Sequence, residues 1–141
     1  MKRDGVTYQL HHIGIPTDIV REGERYADSV GMWTSDDLSG PLPIQWHRFR
    51  ADSPLHFLLR SAPHIAYRVN DLEKAVSNHT VILGPYEPID GFKVAVIDNS
   101  GMPVEFIQTE LSDSEIWGRA RSGRKSSLYA KATSPNDGEP T

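Results

Sequence analysis

Apolar and polar positions alternate around His12, with Ile13 and Ile15 on one side of the chain and His12 and Gly14 on the other. That period of two predicts a strand with one buried face over residues 10–18. Residues 19–30 read as a helix in which Tyr26 and Val30 lie four apart and Gly31 is the C′ residue. A weak strand comes next over 32–37, then a loop punctuated by Gly40, Pro41 and Pro43. Residues 44–50 and 54–60 read as two strands joined by an Ala51-Asp52-Ser53 turn. The next alternating run, 63–69, puts Ile65, Tyr67 and Val69 on one face. A short helix over 71–76 is capped by Asn70 or Asp71. A strand begins at 81–83, Asp90-Gly91 turns the chain, and strands at 92–97 and 102–108 flank a turn at Asp98-Asn99-Ser100-Gly101. The last periodic segment, 111–119, is a helix with Ser112 and Glu115 in capping-box spacing.

The order strand, helix, three strands therefore occurs twice, and short motifs recur with it. His12-Ile13 returns as His64-Ile65 after 52 residues. Pro54-Leu55-His56-Phe57-Leu58 matches Pro103-Val104-Glu105-Phe106-Ile107 at a spacing of 49, so a small deletion separates the copies. The expected organisation is one α+β domain built from two tandem βαβββ modules, 1–60 and 61–110, with a terminal helix and polar tail over 111–141. In the tail, Arg119, Arg121, Arg124 and Lys125 read as solvated charge.

Composition narrows the chemistry. The 141 residues contain no cysteine, which excludes disulfides, thiolate metal sites and cysteine nucleophiles. A net charge of −4 argues against nucleic-acid binding, and no apolar run approaches the ~20 residues of a membrane span. A cytoplasmic protein acting on a small molecule is expected, with six histidines as its most distinctive reactive groups.

Strand parity sorts those histidines. Ile13 and Ile15 around His12, Leu55 and Phe57 around His56, Ile65 and Tyr67 around His64, and Val104 and Phe106 around Glu105 all mark the core side. The four polar side chains then share the opposite face and, through the duplication, can converge. Three imidazoles and a carboxylate form a nitrogen/oxygen donor set for Zn, Ni, Co, Mn or Fe(II). Glu105, the lone carboxylate, is also the expected proton carrier. His11 has the wrong parity and competes only through a register slip. His47 is a possible pocket residue, and His79 a surface one. Trp46, Arg48 and Lys93 lie on strands expected to line the substrate side.

These motifs resemble those of the vicinal oxygen chelate superfamily, the glyoxalase/bleomycin-resistance/dioxygenase group. His12-Ile13-Gly14-Ile15 and His64-Ile65-Ala66-Tyr67 are similar to its first-strand motifs, the latter running on to Asp71-Leu72. The segment from Asp98 through Gly101 to Glu105 resembles its closing hairpin. The resemblance implies a cup of curved mixed sheet, with metal ligands on the first and last strand of each module, and a homodimer. It also implies chelation of adjacent substrate oxygens, as in a lyase or isomerase acting on a small α-hydroxycarbonyl or ketoacid. Alternatives within the group are an extradiol dioxygenase, a fosfomycin-resistance-like transferase and a non-catalytic binding protein. His56 departs from the pattern, since glyoxalase I and epimerase relatives usually carry Glu or Gln at that position.

Overall fold

The computed structural model describes residues 1–122; the tail positions beyond, Arg124 and Lys125 among them, lie outside the described residues. A two-residue β1 (Lys2–Arg3), which alternation did not reveal, folds back on the start of β2 (Val6–Pro16). The other strands are β3 (Arg25–Ala27), β4 (Met32–Asp37), β5 (Ile44–Phe49), β6 (His64–Val69), β7 (Thr80–Ile89), β8 (Phe92–Asn99) and β9 (Met102–Thr109). Apart from β1, they form a curved mixed sheet of eight strands in the order β3-β4-β5-β2-β6-β9-β8-β7.

The strand order reads as a two-fold repeat. β2 and β6 pair antiparallel at the centre, β5 runs parallel to β2, and β9 runs parallel to β6. The central register makes the symmetry explicit. Ile13 faces Ile65, with His12 opposite Ala66 on one side and Gly14 opposite His64 on the other. Each half thus places its histidine one residue before the self-paired isoleucine.

The halves differ in what covers them. In the second, a helix over Leu72–Val76 (α2) is capped by Asp71, whose carboxylate accepts the Lys74 N–H at 3.0 Å. Leu72 and Ala75 then pack with Val6, Val69, Ala95, Ile97, Val104 and Phe106 on the convex side of the sheet. In the first half the helix expected over 19–30 does not form. Ile19 and Val20 are 68% and 69% exposed, so no apolar stripe holds that segment down. Gly23 adopts a left-handed turn at φ 79, and the chain continues as β3 and a single 3₁₀ turn over Asp28–Val30. Gly31 does close that turn in the left-handed conformation.

The strand expected over 54–60 is also absent. Ser53 N–H donates to the Arg50 carbonyl at 3.1 Å, turning the chain as expected. Beyond this turn the chain forms a short helix, α1 (Phe57–Ser61), with His56 as its N-cap. The closing strand of the first half is therefore β5, paired with β2 as β9 is with β6. The terminal helix α3 (Asp113–Ser122) begins with the expected box: Ser112 N–H donates to Glu115 Oε1, and Glu115 N–H to Ser112 Oγ. Its Ile116 and Trp117 pack with Ala66, Ile89, Phe92, Val94 and Ile107 on the concave side. Among the described residues, no helix is long and apolar enough to cross a membrane.

Candidate metal centre

His12, His64 and Glu105 meet on the concave face. One donor atom from each lies within 4.8 Å of the other two, making the group suitable for holding a metal ion. The strand ladder explains the convergence: β2, β6 and β9 are successive neighbours, and these three positions have the same parity. His12 Nε2 lies 3.7 Å and His64 Nε2 3.0 Å from Glu105 Oε1. Neither imidazole nitrogen makes an aligned hydrogen bond although both are fully enclosed. Buried nitrogens aimed at a half-buried carboxylate without a hydrogen bond fit the geometry of an ion's donor set. Burial opposes ionisation of Glu105, but the adjacent His12 and His64 imidazoles outweigh it through polar contact and charge. The carboxyl is held well below the usual carboxylate range.

Small residues opposite the histidines make room for them. A Cβ at Gly14 would collide with the His64 ring, so only glycine lets that ring lie across β2. Opposite His12 stands Ala66, fully buried.

His56 is not part of this group. Its Nδ1 accepts the Leu58 N–H at 3.0 Å, because the residue starts α1 instead of crossing a strand. The parallel register identifies the first-half counterpart of Glu105. Ala66 pairs with Glu105, and Gly14, the equivalent of Ala66, pairs with Gln45. Gln45 lines the same cavity. Its Nε2 donates to Asp36 Oδ1 at 3.2 Å, and Asp36 is held by two Arg25 bonds of 3.0 and 3.1 Å. With its amide nitrogen committed to Asp36, Gln45 has its oxygen left as the atom that could act as a ligand.

His47, two residues on along the same face, also lines the cavity. It stacks on His64 with ring centroids 5.6 Å apart, and its Nδ1 contacts Thr34 Oγ1 at 2.9 Å. Burial, then the neighbouring His64, lowers its pKa well below 6.5, so the ring is neutral. His11 is buried as well, contrary to its parity. The ladder skips from Leu10 to His12, and this bulge turns consecutive histidines inward. His79 is exposed.

Trp46, Arg48 and Lys93 do not face the cavity. Because Gln45, His47 and Phe49 do, Trp46 and Arg48 point to the convex side. Arg48 binds Glu24 through bonds of 3.0 and 2.8 Å and lies over Trp33. Arg21 lies over Trp46 in the same way, so this cation layer stands where a helix covers the other half. Lys93 is exposed between the inward-facing Phe92 and Val94.

Apart from its polar floor, the cavity is apolar, with Met32, Phe49, Leu59, Phe92, Ile116 and Trp117 among its walls. Among the described residues, no lysine or arginine lines it, and Glu105 is its one carboxylate.

No protein-family model matches the chain, nor does any curated protein. Solved structures do. A hypothetical protein, BH1468 from Bacillus halodurans C-125, superposes with a TM-score of 0.60 at 19% identity, covering 75% of this chain and 97% of its own. Methylmalonyl-CoA epimerase from Mycobacterium tuberculosis superposes with a TM-score of 0.51 at 17% identity, covering 72% of this chain and 88% of its own. The fold is glyoxalase-like. The cup expected of that fold is present, and the first and last strands of each half carry His12, Gln45, His64 and Glu105 at its floor.

Proposed function

We propose that the protein is a metal-dependent lyase or isomerase acting on a small α-hydroxycarbonyl or ketoacid with an apolar substituent. His12, Gln45, His64 and Glu105 would hold the ion. The observation that carries this reading is the pair of enclosed imidazole nitrogens without hydrogen-bond partners, aimed at an ionised, half-buried carboxylate on the floor of an apolar cup. A bound divalent ion would supply Lewis acidity, making a carbon next to a carbonyl more acidic.

The remaining roles belong to the chain. Among the described residues Glu105 is the one carboxylate lining the cavity, and its depressed pKa keeps it ionised, suited to holding an ion but only weakly basic toward a substrate proton. His47, with Nδ1 occupied by Thr34, presents Nε2 as the hydrogen-bonding group for a substrate oxygen. Ile116 and Trp117 exclude water above the floor. An apolar wall without Lys or Arg favours a substrate body without phosphates. The epimerase neighbour supports isomerase chemistry by its name, whereas the apolar wall favours a smaller substrate than an acyl-CoA.

Elemental analysis of natively purified protein, followed by turnover assays across small α-hydroxycarbonyls and ketoacids, tests the reading. One first-row ion per chain and ion-dependent turnover are expected. Protein that takes up no Zn, Ni or Co, and is unaltered by Glu105→Ala, overturns it.

The position of His56 favours a second reading. Without it, two histidines and one glutamate remain beside a neutral Gln45, the ligand triad associated with non-haem Fe(II) oxygenases. Oxygen uptake with catechols after Fe(II) reconstitution would select an extradiol-type dioxygenase over the isomerase.

A further inference from the structure

His12 is supported from behind by a chain of contacts leading to the terminal helix. Its Nδ1 lies 2.9 Å from His11 Nδ1, and His11 Nε2 lies 3.2 Å from Asp113 Oδ1 on α3. The His11 ring stacks on Trp117, with centroids 5.4 Å apart and planes at 17°. Arg68, on the same strand as His64, anchors the approach to α3 by donating to the carbonyls of Thr109 and Leu111.

These contacts fix where the protons sit. A neutral imidazole carries one N–H, and an Nδ1···Nδ1 contact needs one donor and one acceptor. An ionised Asp113 only accepts, so His11 carries its proton on Nε2 and offers the Nδ1 lone pair. His12 must then carry its proton on Nδ1, leaving the Nε2 lone pair toward His64 and Glu105. The reverse arrangement would set the His11 lone pair against the Asp113 carboxylate at 3.2 Å, whereas the His12 Nε2 lone pair faces Glu105 at the longer 3.7 Å, across the space an ion would fill.

We propose that His11 and Asp113 are positioning residues that hold His12 in its Nε2-ligating tautomer, making docked α3 part of the metal centre. This rests on the reading that the His12 cluster takes an ion. The consequence is reciprocal: ion binding stabilises the docked helix, and undocking weakens the site.

Long-range ¹H–¹⁵N NMR on the full-length, metal-free protein reads the tautomers directly, and Zn(II) competition against a chromophoric chelator reads affinity. The wild type should show His12 protonated at Nδ1. His11→Phe keeps the ring against Trp117 but removes the acceptor; mixed His12 tautomers and about tenfold weaker Zn(II) binding are expected. Asp113→Asn keeps an acceptor oxygen and should retain the wild-type tautomer. Asp113→Ala should shift it, with a smaller affinity loss of about threefold because the carboxylate is 67% exposed. A purely packing role for His11 would change thermal stability while leaving tautomer and affinity unmoved. His12 protonated at Nε2 in the wild type, or wild-type Zn(II) affinity in His11→Phe, overturns the proposal. Wild-type protein that binds no Zn(II) but shows Nδ1-protonated His12 would refute the metal reading while leaving the tautomer assignment standing.

Discussion

The two halves of the cup share a strand order but not a construction. The second has a capped helix against its convex face and a charged donor, Glu105, on its closing strand. The first has a turn-rich segment and stacked cations in place of the helix, and a neutral donor, Gln45, held by Asp36 and Arg25. Stability is therefore concentrated in one half while the floor draws donors from both. A duplicated fold can loosen one copy's exterior because the central β2–β6 pairing joins it to the other.

The largest expected contrast concerns the covering of the sheets. Leu72→Ala removes a side chain wedged between α2 and the sheet and should cost about 2–5 kcal/mol in urea unfolding. Ile19→Ala, in the corresponding segment of the first half, should stay within about 0.5 kcal/mol because Ile19 is largely exposed. Equal losses would contradict the asymmetry.

The donors come next. Glu105→Ala should weaken Zn(II) binding by more than about 100-fold, roughly 2.7 kcal/mol, whereas Gln45→Ala should cost about tenfold. His56→Ala should leave affinity unchanged, since its ring caps α1. Chelator competition measures all three, and a loss at His56 comparable to that at Glu105 would refute the assignment.

A smaller effect separates the residues opposite the histidines. Gly14→Ala must push the His64 ring aside and should destabilise by about 1–3 kcal/mol while weakening metal binding. Ala66→Gly adds only backbone freedom, about 0.5–1 kcal/mol. Thermal melts with and without Zn(II) distinguish them.

The smallest contrast is in pH. His47 is buried neutral with a lowered pKa, so the unfolded chain takes up a proton below about 6.5 that the folded chain refuses. Stability of the metal-free protein should fall as pH drops from that value. Glu105, also depressed, keeps its contribution down to its unfolded value of 4.5 and loses it progressively below that, as the unfolded chain takes up the proton that the folded one refuses. Melting His47→Gln between pH 7.5 and 5.5 should show a shallower decline than the wild type, and an unchanged slope would remove His47 as the cause.

The three candidate donors were legible because their strands alternate cleanly: Ile13 and Ile15, Ile65 and Tyr67, Val104 and Phe106 each mark one face as core. Gln45 was hidden because Ile44-Gln45-Trp46-His47-Arg48-Phe49 has apolar residues on both faces, so parity alone could not tell cup from exterior. Only the parallel register with β2 decides it. The same ambiguity leaves the side taken by Trp46 and Arg48 undecided in the sequence. His56 misled for a different reason. Five residues of alternation are short enough to be a helix start, and a polar side chain before an apolar run is also an N-cap.

His11 is the surplus residue of β2: the pairing with β6 runs in register up to Leu10 and resumes at His12 as though it were not there. Deleting it would therefore mend the ladder. The shortened chain would have a more regular central sheet and a candidate ligand, His12, with nothing behind it, and α3 would lose the aromatic ring on which it rests. The irregularity is a trade in which sheet perfection is given up so that one strand can supply both a donor and its support.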